Sequence, residues 1–263
     1  MGLAATPESG VGEGAELSDP LEVLHWRSVA VSPGLGAGDL HLWKLDCGPL
    51  GPSLQTQWHL LSEGERSRAQ RLRQEHHRER YVRAHAGLRT ILSFYTNNDP
   101  HLHVFDYGSA GKPILVNQQS GLEFNMTTSD DMALVAVSSG CPVGIDCERV
   151  RPRADLLPIA RRMFRQAEAE RIASAPEEQR LELFYRSWTA LEANVKAVGR
   201  GLSRRRNTTS VAALGVAHCL PAPGFIAAVA RASLPPVHRW QTLQLAEPQG
   251  NGSSRADFVH DRQ

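Results

Sequence analysis

The 263-residue sequence predicts an α+β fold, and two observations carry the prediction. Apolar or alternating runs of strand length recur at His41-Leu-Trp-Lys-Leu45, Leu134-Val-Ala-Val137, Val143-Gly-Ile145 and Gly224-Phe-Ile-Ala-Ala-Val-Ala230. Segments of helical period are set among them at 66–95, 156–164, 168–173 and 181–198. With 41% hydrophobic residues the chain can bury one substantial core or two small ones.

Each element has a local cause. Residues 1–38 are expected to be largely flexible, the first twenty being rich in Gly, Ala, Ser and acid. His41–Leu45 then opens the fold as a strand. Ser62 is placed to cap a helix whose first turn holds Glu63 and Glu65, with Leu61 as the apolar staple just before it. Arg66 to Tyr95 reads as one long basic helix with Leu72, Tyr81, Leu88, Ile91 and Leu92 toward the core, ended by Asn97-Asn-Asp-Pro100. His101 to Ser138 reads as strands and turns. The last long helix is stopped by Gly199 and Gly201. Residues 248–263 read as a polar tail.

Several function classes are excluded early. A net charge of +1 leaves no basic excess with which to neutralise a nucleic-acid backbone. No apolar run approaches the ~20 residues of a membrane span. The start has no basic stretch followed by an apolar run, so no signal peptide is expected and a cytoplasmic protein is. Cys47, Cys141, Cys147 and Cys219 have no zinc-finger spacing, and the eleven histidines form no HExxH. A P-loop and a Gly-x-Ser-x-Gly elbow are also missing.

Two acidic motifs remain. In Val143-Gly-Ile-Asp-Cys-Glu148 the carboxylates Asp146 and Glu148 are two apart on a strand and share a face. In Trp188-Thr-Ala-Leu-Glu-Ala-Asn-Val-Lys196, Glu192 and Lys196 are four apart on a helix and share one too. Alone, the first is commonly a solvated strand end and the second a surface pair worth a few tenths of a kcal/mol. Brought together, three carboxylates and an ammonium suit a hard divalent cation holding a phosphate. Of the 29 basic residues only Lys44, Lys112 and Lys196 are lysines, so a compact point charge survives at few places.

Together the motifs resemble the signature of the 4'-phosphopantetheinyl transferases of the Sfp-like type. Gly144-Ile-Asp-Cys-Glu148 and Trp188…Glu192-Ala193…Lys196 match its two acidic motifs, with Leu191 where many members carry Lys. Upstream, Gly111-Lys-Pro113, Phe124-Asn-Met-Thr-Thr-Ser129 and the basic run from Leu61 to Arg89 resemble further family segments, over roughly residues 40 to 230. The resemblance implies a pseudo-twofold pair of similar α/β halves, near 39–140 and 141–247, with coenzyme A in the cleft between them. It implies a holo-[acyl-carrier-protein] synthase-type enzyme that moves 4'-phosphopantetheine from coenzyme A to a serine of an apo acyl or peptidyl carrier protein.

By that resemblance, Asp146, Glu148 and Glu192 would hold Mg²⁺, Glu192 and Lys196 would act in catalysis, and Lys112, Lys196 and Thr127 would meet phosphates of coenzyme A. Arg68 and Arg80 would lie near its 3'-phosphate. Thr127-Thr128 stands where the family has Ser-His, so Thr128 replaces an imidazole that helps hold the nucleotide end, a loss of about 1.5–3 kcal/mol. Trp188 is expected as a core anchor for its helix. A monomer is expected. The carrier is left open, and two alternatives stand beside transfer: a non-catalytic coenzyme A or carrier-protein binder, and a metal-dependent hydrolase of phosphate esters.

Overall fold

The computed structural model describes residues 20–108, 111–116, 121–199 and 214–246. Its first part contains strands β1 (Glu22–Val23), β2 (Arg27–Val29) and β3 (Leu40–Asp46), then helices α1 (Leu54–Trp58), α2 (Glu63–Gln70) and α3 (Glu75–Thr96). Strands β4 (Phe105–Tyr107), β5 (Pro113–Leu115), β6 (Leu122–Ser129), β7 (Met132–Ser139) and β8 (Val143–Arg149) follow. Helices α4 (Leu156–Met163), α5 (Gln166–Ser174) and α6 (Glu177–Val198) and strands β9 (Gly215–Leu220), β10 (Phe225–Arg231) and β11 (Gln241–Leu245) complete it.

Mixed α+β architecture is thus what the sequence builds. A five-stranded sheet has the order β2-β11-β3-β7-β6, a four-stranded sheet the order β1-β9-β10-β8, and β4-β5 form a separate hairpin. Strand alternation decides the layers. Leu40, Leu42, Leu134 and Ala136 of the first sheet meet Val143, Ile145, Cys147, Ala227 and Val229 of the second. The opposite faces turn outward to the long helices: Trp43, Leu45, Val135 and Val137 pack under Leu88, Ile91 and Leu92 of α3, while Ala228 and Ala230 pack under Ala193 and Ala197 of α6. The layers therefore run helix, sheet, sheet, helix.

Both sheets are built on one topological plan. β3, helices, β6 and β7 assemble in the spatial order first-last-middle, all antiparallel. β8, helices, β9 and β10 do the same. The chain ends then cross over: β1 adds to β9, while β2 and β11 add to the first sheet in parallel. So residues 22–23 and 27–29 of the segment expected to be flexible are strand, and 241–245 lie in the sheet opposite to the one that the 141–247 division gives them. Residues 1–19 and 247–263, with the first half of the segment expected to be flexible and all of the polar tail, lie outside the described residues, as does Gly201.

The long basic helix is two helices. Ser62 caps α2 as expected: its hydroxyl accepts from Glu65 N–H at 3.3 Å, and Glu65 Oε2 accepts from Ser62 N–H at 2.8 Å, a complete capping box. The chain then breaks at Arg71–Gln74, without a Gly or Pro, and turns so that Leu61 and Ala69 are buried against Val82 and Ala86 of α3. A straight helix would have left those apolar groups in water. Of the expected core contacts, Leu88, Ile91 and Leu92 are buried, while Leu72 and Tyr81 are half-buried.

Candidate functional site

The site is built where the edges of the two sheets meet. β8 is an edge strand: residues 144, 146 and 148 face β10 in the ladder, and residues 143, 145 and 149 point their backbone groups away from it. β6, the edge of the other sheet, lies alongside without joining the ladder. Side chains satisfy the orphaned groups instead. Asn125 Oδ1 accepts from Ile145 N–H at 2.9 Å, and Ser129 Oγ accepts from Arg149 N–H at 2.9 Å. Lys112 Nζ donates to the Val143 carbonyl at 3.1 Å, and Lys196 Nζ donates to the Ile145 carbonyl at 3.2 Å. Residues 125, 127 and 129 of β6 therefore turn one face to β8, as a period of two requires.

Between Asn125 and Ser129 on that face stands Thr127, and there the expected residues converge. Lys196 Nζ lies 2.6 Å from Asp146 Oδ1 and donates to Thr127 Oγ1 at 3.3 Å, while the Thr127 hydroxyl donates to Asp146 Oδ1 at 3.1 Å. Asp146 and Thr127 are buried; Lys196 keeps 27% of its side chain exposed. Asp146 Oδ2 is buried and has no hydrogen-bond partner. An orphaned carboxylate oxygen is costly, and a bound cation is one group that would satisfy it.

This closeness depends on Gly144. A Cβ built there would lie 2.0 Å from the Ala193 carbonyl oxygen and 2.4 Å from Ala197 N, so only glycine lets the α6 backbone approach β8 this far. Ala193 and Ala197, both buried, keep the facing surface of the helix equally flat. Glu192 and Lys196 are thereby held over the strand that carries Asp146 and Glu148.

Glu148 is half-buried, and burial raises its pKa from the ordinary value, followed by the Asp146 charge. A hydrogen bond from Trp188 and the Lys196 charge work against that rise, and Glu192 adds to it. The three carboxylates thus feel one another. They are not closed into a ligand set: among the described residues no three His, Cys, Asp or Glu side chains are gathered closely enough to hold an ion. Lys196 occupies Asp146 Oδ1 at 2.6 Å.

The other expected residues are spread more widely. Lys112, 13% exposed, sits at the start of β8 with Glu123 Oε2 at 4.0 Å; burial lowers its pKa and the Glu123 charge opposes that. Thr128 points to the opposite side of β6 from Thr127 and is exposed on the α3 side of the sheet. Arg80, on α3, pairs with Asp131 of the β6–β7 turn at 2.6 Å. Arg68 is exposed in the last turn of α2. The structure therefore gathers Thr127, Asp146 and Lys196 into contact, with Glu148, Glu192 and Lys112 along the same strand, and leaves Arg68, Arg80 and Thr128 outside that cluster.

Comparison with known proteins agrees with the motifs. Residues 142–228 match the family model described as the 4'-phosphopantetheinyl transferase superfamily. The chain is 39% identical over 168 residues to 4'-phosphopantetheinyl transferase HetI of Nostoc sp., covering 63% of this chain and 71% of that one. It belongs to the 4'-phosphopantetheinyl transferase superfamily. A second relative, 4'-phosphopantetheinyl transferase AcpT of Escherichia coli O157:H7, is 33% identical over 178 residues, 66% of this chain and 80% of its own length. A Synechocystis relative is 33% identical over 156 residues, 59% of this chain and 62% of its own. No helix among the described residues is long and apolar enough to cross a membrane.

Against this superfamily background three residues exceed what the sequence suggests. Trp188, expected as a core anchor, does stack on Phe184 at 6.1 Å, but it also works against the rise in the pKa of Glu148. Asn125 and Ser129 stitch the two sheets together; their spacing of two around Thr127 is the only sequence signal of it. Leu191, where many superfamily members carry Lys, is buried at 5% exposure, which suits an apolar residue.

Proposed function

We propose that this protein transfers the 4'-phosphopantetheine group of coenzyme A to a serine of an apo acyl or peptidyl carrier protein, with Mg²⁺, leaving adenosine 3',5'-bisphosphate. The observation that carries the reading is the contact of Thr127, Asp146 and Lys196 on the seam between the sheets, in a chain of this superfamily. The shared strand order of the two sheets supports a pseudo-twofold relation between halves near 39–140 and 141–247, with coenzyme A in the cleft that they form.

Asp146, through its unpartnered Oδ2, together with Glu148 and Glu192 would hold the Mg²⁺. When bound, the ion supplies positive charge against the pyrophosphate oxygens of coenzyme A. Lys196 and Lys112 meet those phosphates with compact ammonium charges, and the Thr127 hydroxyl offers a hydrogen bond beside them. Arg80 and Arg68 face the 3'-phosphate at longer range, with Thr128 on the Arg80 side. Glu192 takes the proton of the carrier serine as its oxygen attacks the phosphoryl group next to pantetheine. The serine O–P bond forms and the P–O bond to adenosine 3',5'-bisphosphate breaks. The reading makes the protein a monomeric, cytoplasmic, holo-[acyl-carrier-protein] synthase-type enzyme.

Incubation with Mg²⁺, coenzyme A and a panel of apo carrier proteins, followed by intact-mass spectrometry of each carrier, tests it. A gain of one phosphopantetheine that EDTA abolishes is expected. No gain on any carrier, with coenzyme A still bound by calorimetry, would replace transfer by a binding role; cleavage of coenzyme A without a carrier would replace it by hydrolysis.

A further inference from the structure

Lys196 makes more contacts than a lysine on a helix surface needs. An ammonium has three N–H donors, and here each has its own acceptor: Asp146 Oδ1 at 2.6 Å, the Ile145 carbonyl at 3.2 Å and Thr127 Oγ1 at 3.3 Å. In this arrangement no donor is left over to meet a phosphate. The Thr127 hydroxyl reinforces the hold, since it accepts from Lys196 and donates to the same Asp146 oxygen at 3.1 Å. Yet 27% of the Lys196 side chain is exposed, and a four-carbon stem is flexible enough to carry the head outward.

Asp146 is served unevenly. Its Oδ1 takes two donors, whereas Oδ2 of the same buried carboxylate takes none. At 4% exposure such a carboxylate needs a counter-charge. Two kinds of group can supply it: the ammonium, which uses one oxygen, and a divalent cation, for which the second oxygen stands ready. Both at once would set like charges on one carboxylate, and away from water such charges repel strongly. The backbones cannot shift closer to relieve this, because a Cβ at Gly144 would already lie 2.0 Å from the Ala193 carbonyl oxygen. Any adjustment therefore falls to the Lys196 side chain.

We propose that the Lys196 ammonium and a divalent cation compete for the Asp146 carboxylate, so that cation binding displaces Lys196 outward and opens its donors to phosphate. No covalent bond changes. Lys196 gives up one ion pair and its hydrogen bonds to Ile145 and Thr127, and Asp146 exchanges one positive partner for another. One side chain thus couples two sites, and the ammonium reaches a phosphate only after the cation has taken Asp146. That order rests on the transferase reading, whereas the competition does not.

Calorimetric titration of EDTA-treated, desalted protein with Mg²⁺ alone, without coenzyme A or carrier, tests the competition. Lys196→Met keeps most of the stem and removes the charge. It should bind Mg²⁺ roughly 5- to 150-fold more tightly than wild type, the usual range of coupling between two sites. Lys112→Met removes an equal charge from the same seam, where Lys112 meets Val143 and Glu123, and should change the affinity much less. Equal affinity of wild type and Lys196→Met, equal tightening in both variants, or no Mg²⁺ binding by any of the three would overturn the proposal. A second readout needs no variant. The chain has three lysines, so acetylation by acetic anhydride can be followed at each by peptide mass. Saturating Mg²⁺ should speed acetylation of Lys196 and leave Lys44 unchanged; an unaltered Lys196 would overturn the proposal even if Lys196→Met failed to fold. Transfer is scored separately by carrier mass. Wild-type transfer with equal Mg²⁺ affinities sinks the competition alone, and tightened binding without wild-type transfer sinks the transferase reading alone.

Discussion

α3 rests on its sheet through Trp43, Leu45, Leu88, Ile91 and Leu92, large side chains that hold helix and strand apart. α6 rests on its sheet through Gly144, Ala193, Ala197, Ala228 and Ala230. The topology is shared, yet the first packing yields a core and the second the candidate site. Among the described residues, only the flat contact of α6 brings a helix side chain, Lys196, to within 2.6 Å of a strand carboxylate. In the first sheet the polar side chains pair with one another instead: Trp43 Nε1 donates to Tyr95 Oη at 2.7 Å, and Tyr95 Oη lies 2.8 Å from His41 Nδ1.

The buried carboxylates repeat the contrast. Glu65 is met by Arg89 at 2.8 Å, His85 at 3.4 Å and the Ser62 N–H at 2.8 Å. Burial alone would raise its pKa, but those partners pull it down to about 2. Glu65 Oε1 and Asp146 Oδ2 both lack a hydrogen-bond partner, but the His85 ring stands 3.4 Å from the Glu65 oxygen. The first carboxylate is spent on structure, and the second is left able to bind something else.

The comparison breaks most severely at Gly144. Gly144→Ala forces a methyl to 2.0 Å from a backbone oxygen, which side-chain motion cannot relieve. It should cost at or beyond the upper end of about 1–3 kcal/mol and abolish transfer, measured by denaturant unfolding and carrier mass; wild-type stability would refute the close packing. Next, Glu65→Gln leaves the Arg89 charge buried and unpaired, a loss of about 3–5 kcal/mol. Because the folded pKa of Glu65 is depressed, its contribution is intact above the ordinary carboxylate range and is lost as pH falls through about 2. An acid-unfolding curve unchanged by the substitution would contradict that.

Asp146→Asn keeps the shape and should leave thermal stability nearly unchanged while lowering transfer by roughly 10²–10³. Wild-type turnover would remove Asp146 from the chemistry. The smallest change is Thr128→His, which should tighten coenzyme A by about tenfold in calorimetry. Unchanged affinity would mean that the exposed α3 side of β6 does not meet the cofactor.

These differences were unequally visible in the sequence. Gly144, Asp146, Glu192 and Lys196 could be read because strand and helix periods are local, and so could the Ser62 cap. The break at Arg71–Gln74 could not, since its cause is the burial of Leu61 and Ala69 against a later helix. β1 and β2 pair with strands about two hundred residues away, and two or three residues carry too little pattern to announce that. Thr128 reads as a neighbour of Thr127 along the chain, yet strand alternation sends it to the other face. Trp188 shows its stacking tendency in its aromatic ring, but its influence on Glu148 exists only once α6 lies against β8.

The seam between β6 and β8 carries one more consequence. The amide hydrogens of Ile145 and Arg149 are held by Asn125 and Ser129, not by a neighbouring strand. Their exchange with deuterated solvent therefore clocks the parting of the two sheets separately from the unravelling of either one. Two amides in the chain thus report whether the molecule breathes along its joint, and how often, while its ladders stay closed.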